Sequence, residues 1–407
     1  RIRADDSVMD FYRGKPYMIR RSRGYAPLPM IVSGGYRGQV LGIGGELKNT
    51  FCIGSGELFY PSPYVGDLAD VRTVRALEET VGRFQTLLEV QPQLVACDLH
   101  PKYNSTLLAE GLGIPVIKVQ HHYAHVLSCM AENDWRQPVL GVSFDGTGYG
   151  TDGTIWGGEI LLSDLHGFRR LGSIGSFSQV GGDLSAKEGW RIGAALLYEL
   201  TGDRTRTLEM AQGLDLCPEQ QATLLMNMAD RGLNTVRSTS AGRLFDGVSA
   251  ILGIRRASTF EGEAATALQF AAEAFLETGD PPYRAEVPPL AQMVEGRMVL
   301  NTLGVVESIV QARLRGVEAG RLAAYFHQAM AEEIVAACAW GREQTGCNVV
   351  ALTGGCYQNL LLLRLTEQRL EQLGFRVLTH SLVPPNDGGL ALGQAVAAMV
   401  KLQQETQ

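Results

Sequence analysis

Val139-Leu140-Gly141-Val142-Ser143-Phe144-Asp145 reads as a buried strand closing on a carboxylate, followed by a polar glycine-rich turn, Gly146 to Thr154. A return strand then begins Ile155-Trp156-Gly157-Gly158-Glu159-Ile160. The chain uses the same grammar earlier: Val40-Leu41-Gly42-Ile43-Gly44-Gly45, the turn Glu46 to Asn49, and the strand Thr50 to Ile53. Val-Leu-Gly-Val is common strand vocabulary, so the repeat is approximate. Leu352-Thr353-Gly354-Gly355-Cys356-Tyr357-Gln358-Asn359 supports it with a third strand, glycine turn and helix start, where bare backbone can approach a nucleotide. Two hairpin-led β/α units predict an α/β fold of two lobes around a cleft, with backbone donors on each turn facing a phosphate.

Periodicity fills in the rest. Apolar spacing predicts helices over 70–88, 104–110, 121–133, 186–201, 206–230, 241–253, 260–277, 318–342, 357–373 and 389–402. Short apolar runs predict strands over 58–60, 94–97, 116–119, 349–352 and 376–378. Residues 1–30 are basic, fit two short strands and read as the tail of a preceding unit. The expected division is then 31–137 for the first lobe and 138–407 for the second, with the C-terminal helix free to return to the first lobe.

Gln120-His121-His122-Tyr123-Ala124-His125 carries the chemistry. His121 and His125 are four apart, so on a helix they share a face and can grip one metal ion. A histidine-rich helix start can also be a solvated surface, but three of the seven histidines fall within these five residues, directly after a strand. Asp145 and Asp387, the latter in Pro384-Pro385-Asn386-Asp387-Gly388-Gly389, are the nominated carboxylate ligands. Imidazole with carboxylate suits zinc, iron(II) or manganese. His122 points about 100° away on such a helix and is expected not to be a ligand. His100, His166, His327 and His380 are isolated and receive no role. For a nucleotide, the Lys48-Asn49-Thr50 and Gly146-Thr147-Gly148 turns are phosphate candidates, Lys48 being either a phosphate contact or an exposed turn lysine. Asp246, and Glu261-Gly262-Glu263, offer acceptors to a ribose.

The 407 residues are 45% hydrophobic and 19% charged, an ordinary globular composition. A net charge of -7 provides no general field for nucleic acid, so duplex DNA is an improbable partner. Seven scattered cysteines without a C-x-x-C pair fit neither a zinc ribbon nor a secreted disulfide framework, and point to a cytoplasmic setting. No apolar run reaches the roughly 18 residues of a membrane span. The chain starts at Arg1, which suggests a piece of a longer protein.

Five stretches carry a family resemblance: Gly44 to Phe51, His121 to His125, Phe144 to Glu159, Thr239 to Asp246 and Pro384 to Gly393. Together they resemble the C-terminal part of the hydrogenase maturation carbamoyltransferases, the HypF family, over nearly the whole chain. The resemblance implies an actin, sugar-kinase and Hsp70-like (ASKHA) fold, in the branch shared with the universal tRNA threonylcarbamoyl-transfer protein and antibiotic O-carbamoyltransferases. It implies a metal, zinc or iron(II), on His121, His125 and Asp387 with Asp145 as a fourth ligand. It also implies ATP or AMP, the latter within carbamoyl adenylate, on Gly354, Gly355 and Asn359, with Asp246 and Gly262 at the ribose. Lys48 and Asp145 would serve catalysis. The family's YrdC-like domain, whose tail residues 1–30 resemble, makes carbamoyl adenylate from carbamoyl phosphate and ATP. The carbamoyl group then passes to the C-terminal cysteine thiol of HypE, for which Lys187 to Arg191 is a candidate surface. The family's acylphosphatase domain, zinc-finger cysteines and most of its YrdC-like domain have no counterpart in this sequence, so completion of the overall reaction is not expected of it. A docking module for HypE without turnover, or an ASKHA-type kinase, is the alternative.

Overall fold

The computed structural model describes residues 4–286 and 291–406. Each strand–turn–strand unit seeds its own sheet. The first sheet has the order Met30–Ile31, Leu58–Pro61, Cys52–Ser55, Gln39–Gly42, Leu94–Asp98, Val116–Val119. Its hairpin strands pair antiparallel, and the two strands reached through helices, Leu94–Asp98 and Val116–Val119, join parallel. Strand alternation divides the packing: Val40 enters the core shared with the C-terminal helix, while Leu41 enters the separate core with Phe51, Leu77 and Phe84.

The second sheet is built on Val139–Tyr149, antiparallel to Ile155–Ser163 on one side and parallel to Val349–Thr353 on the other. Register matters here. Leu352 lies opposite Val142 and Thr353 opposite Ser143, so the Gly354-Gly355 turn emerges beside Phe144 and Asp145. Gly354 has φ 94°, and a Cβ there would lie 2.2 Å from the Phe144 carbonyl oxygen, so only glycine fits. The chain thus has the two-lobed α/β architecture expected from its strand–turn–strand units.

Two helices join the lobes. His121–Glu132, capped by the Gln120 side chain accepting from the Tyr123 N–H, is buried from His121 to Ala131. The C-terminal helix Leu390–Thr406 crosses it so closely that a Cβ on Gly393 would lie 1.8 Å from the Ala124 carbonyl oxygen. The same helix lies on the first sheet, where a Cβ on Gly42 would lie 2.3 Å from the Ala391 carbonyl oxygen. An N-terminal hairpin, Val8–Tyr12 with Lys15–Arg20, packs on the second lobe through Tyr17, whose hydroxyl donates to the Tyr357 carbonyl at 2.8 Å.

Some expectations need correction. The predicted helix 206–230 is two helices, Arg204–Gly213 and Glu219–Asp230, because Asp215 adopts φ 49° and Pro218 cannot continue a helix. The predicted 146–154 turn is shorter, since its strand continues and pairs Gly148 with Trp156 and Tyr149 with Ile155. The strands Phe168–Ile174, Phe177–Val180 and Thr235–Ser238 and the helix Thr302–Leu314 escaped the sequence reading. Their runs are short or interrupted, and tertiary pairing decides them. Among the described residues no helix is long and apolar enough to cross a membrane.

Gly393→Ala is expected to destabilise the protein by about 1–3 kcal/mol through overpacking. Thermal unfolding should show the loss, and Gly82→Ala, whose Cβ meets nothing within 4 Å, should not reproduce it.

Candidate functional site

Helix geometry puts His121 and His125 on one face, as the spacing requires, and the strand Val139–Tyr149 and the turn Asp387–Gly389 supply carboxylates. One ligand atom from each of His121, His125, Asp145 and Asp387 lies within 4.8 Å of all the others. His121 Nε2 is 3.2 Å from Asp145 Oδ2 and 3.5 Å from Asp387 Oδ1, and His125 Nε2 is 3.6 Å and 3.5 Å from the same two atoms. The donor set fits a metal. His125 Nε2 is buried without a hydrogen-bond partner, aimed at two carboxylates too distant or misaligned to bond it well.

Charge explains the fit. Burial opposes ionisation of both histidines, yet the surrounding carboxylates outweigh it and hold His121 well above, and His125 above, the ordinary imidazole pKa. Asp145 is driven well below the carboxylate range, and Asp387 below it, because the two imidazoles outweigh their burial. A divalent cation carries the same charge as two added protons, so exchanging the two imidazole protons for a metal would leave the net charge of the buried site unchanged.

Asp98 is the residue that the sequence reading missed. It closes the apolar strand Leu94–Asp98 as Asp145 ends the apolar run of the other lobe, and that shared pattern was the available signal. Its Oδ2 lies 2.7 Å from His121 Nδ1, and its Oδ1 accepts the His100 N–H at 2.9 Å. This bond turns His121 Nε2 toward the cluster. The Asp387 turn is pinned from several sides: Ser128 donates to the Gly389 carbonyl at 2.8 Å, Thr50 to the Gly388 carbonyl at 3.0 Å, and Asn386 to the Ile19 carbonyl at 3.0 Å. His122 is buried and held well below its ordinary pKa, by burial and then by the His121 charge. It lies outside the ligand group.

Beside the cluster opens a cleft of about 400 Å³, lined by Lys48 from the first lobe and by Asp145, Gly146, Arg243, Asp246, Gly262, Gly355, Asn359 and Asp387. Lys48, at φ 47°, reaches across it to Glu261 at 2.5 Å. Asp145 Oδ1 accepts the Gly355 N–H at 2.9 Å and ties the glycine turn to the cluster. Asn359 caps the helix Leu360–Gln372 through the Leu362 N–H, and its amide nitrogen lies 2.8 Å from His327 Nε2, so His327 is not isolated.

Several nominated residues are not on the cleft wall. Thr147 is exposed, with its hydroxyl on the Gly146 carbonyl. Gly148 packs on the histidines, where a Cβ would lie 2.4 Å from His122 Cε1. Glu263 binds the Thr259 N–H at 2.6 Å and Arg255 at 3.0 Å, which occupies its carboxylate. Gly354 serves the close approach to Phe144. Trp190, from the candidate partner surface, lines a different groove of about 640 Å³ at the break between the two helices near Asp215.

Residues 36–132 match the model for the HypF Kae1-like domain, and residues 141–394 match the second subdomain of the carbamoyltransferase Kae1-like domain. The chain belongs to the HypF carbamoyltransferase family. A carbamoyltransferase HypF homolog of Cupriavidus necator is 39% identical, covering 88% of this chain and 91% of its own length. Carbamoyltransferase HypF2 of the same organism is 36% identical over 98% of this chain and 51% of its own. The crystal structure of full-length HypF in its phosphate- and nucleotide-bound form superposes with a TM-score of 0.90 at 35% identity, over 98% of this chain and 51% of that one. This HypF-family chain thus spans about half the length of most of the curated relatives it matches.

Elemental analysis and chelator competition test the cluster. His125→Ala is expected to abolish stoichiometric binding of a divalent metal, and Asp98→Asn to weaken it about 10- to 100-fold although Asp98 is no ligand.

Proposed function

We propose that this two-lobed unit transfers a carbamoyl group from carbamoyl adenylate to the C-terminal cysteine thiol of HypE, within hydrogenase maturation. The observation that carries the reading is the cluster His121, His125, Asp145 and Asp387 opening directly onto a cleft lined by Gly146 and the Gly355 turn. Membership of the HypF family supplies the reaction class.

His121, His125, Asp145 and Asp387 would hold a divalent metal, zinc or iron(II), which supplies Lewis acidity toward an oxygen of the carbamoyl or phosphate group when bound. The chain's own part is positioning. The Gly355 N–H, fixed on Asp145, and the Gly146 backbone shape the floor on which an adenylate would lie. Lys48 contributes positive charge on the first-lobe wall, once an anion competes Glu261 away from it. In the transfer, the thiol sulfur bonds the carbamoyl carbon, the bond from that carbon to the phosphate oxygen breaks, AMP leaves, and the thiol proton passes to solvent.

The test supplies carbamoyl adenylate and HypE and follows thiocarbamate formation by mass spectrometry. Wild type is expected to carbamoylate the terminal cysteine, and the His121→Ala/His125→Ala variant to lose transfer by more than 100-fold while still binding HypE. Equal transfer by that variant, or HypE binding without transfer by the metal-loaded wild type, would reject the reading in favour of a docking module.

A further inference from the structure

The cleft contains two cations, and they are tethered differently. Lys48 is paired at 2.5 Å with Glu261. Arg243 is only 9% exposed and uses one side-chain donor, Nε–H, on Asp246 Oδ2 at 2.8 Å. Among the described residues its two terminal nitrogens have no hydrogen-bond or ion-pair partner, and the residue lines the cleft. Nη2 faces Gly146 of the strand Val139–Tyr149, where a Cβ on Gly146 would lie 4.0 Å from it. That strand and the helix Ala241–Ile251 are themselves pressed together, since a Cβ on Gly242 would lie 2.9 Å from Gly146 Cα. Ser240 locks that junction by accepting the Arg243 backbone N–H at 3.0 Å and donating to the Gly146 carbonyl.

A guanidinium on a largely buried side chain, with its fork of donors unpaired among the described residues and open to the cleft, is built for an oxyanion with two oxygens in one plane. The carboxylate that could have satisfied the fork binds the other edge. We propose that Arg243 recognises the phosphate of the nucleotide in the cleft, and that Asp246 is the positioning residue that aims it. The proposal rests on the nucleotide reading of the cleft and revises one part of it: with Oδ2 held by Arg243, the first task of Asp246 is the guanidinium and not the ribose. A carbamoyl group has a single carbonyl oxygen and carries no charge, so it fits the fork poorly. Phosphate monoester and acyl phosphate groups fit it well. Arg243 therefore confers preference for a nucleotide over a nucleoside, and retains AMP after the carbamoyl group has left.

Calorimetric titration of the zinc-loaded chain with AMP and with adenosine tests this, because the two ligands differ only in the phosphate. Wild type is expected to bind AMP more tightly than adenosine. Arg243→Met should weaken AMP about 10- to 100-fold, the usual loss for a charge-assisted hydrogen-bonding pair, and leave adenosine within about twofold. Because that change leaves Asp246 buried and unpaired, Arg243→Met/Asp246→Asn is made in parallel and should show the same selective loss. Arg243→Lys, which keeps the charge without the fork, should fall between. AMP binding unchanged in the double variant, or AMP and adenosine weakened equally, would overturn the assignment while leaving the cleft a nucleotide site. No AMP binding by wild type would remove the nucleotide reading as well.

Discussion

The close crossing of two helices at Gly393 and Ala124 is the constraint on which the site depends. His125 follows Ala124 directly, and Asp387 sits just before the C-terminal helix that makes the crossing. The separation of the two helix axes therefore fixes the distances between imidazole and carboxylate. Glycine at 393 is what allows backbone to approach backbone, and the Ser128 bond to the Gly389 carbonyl sets the helix in rotation as well as separation. The first lobe joins the same arrangement, since the C-terminal helix also rests on Gly42, and Gln394 accepts the Gly44 N–H at 2.7 Å. One helix thus registers both lobes against the histidines.

Charge compensation is the second organising requirement. Buried carboxylates next to two imidazoles are tolerable in the interior only when protons or a cation compensate them. The shifts in the four groups have this common origin. Asp98 adds a further carboxylate behind His121 and is itself spent on that ring and on the His100 amide, so it steers without competing for the centre. In the neighbouring cleft the cations are also matched with acids, Lys48 with Glu261 and Arg243 with Asp246, and Arg243 keeps the planar pair of terminal nitrogens in reserve.

The N-terminal hairpin couples to this apparatus although sequence reading sets it apart. Tyr17 bonds the Tyr357 carbonyl, next to the Gly355 turn, and the Ile19 carbonyl receives Asn386, next to Asp387. Asn386 also donates to Gln358 at 2.7 Å, so the Asp387 turn, the Gly355 turn and the hairpin share one residue. Displacement of the hairpin would be felt at both turns.

Much of this was legible in the sequence for local physical reasons. The histidine pair follows from helix periodicity, the carboxylates of Asp145 and Asp387 stand out at strand and turn ends, and the repeated hairpin grammar announces two sheets. Those signals come from short-range geometry, which a chain encodes directly. The partners of each side chain do not. That Glu263 serves Thr259 and Arg255, that Gly148 is a packing glycine, that His327 meets Asn359 and that Asp98 backs His121 all depend on contacts between segments far apart in the chain. The sequence by itself determined which residue types could build a metal and nucleotide site and on which elements they would ride. Tertiary structure alone decided which of them face the same cavity, because the crossing of the helices at Gly393 and the register of Val349–Thr353 on Val139–Tyr149 are properties of packing.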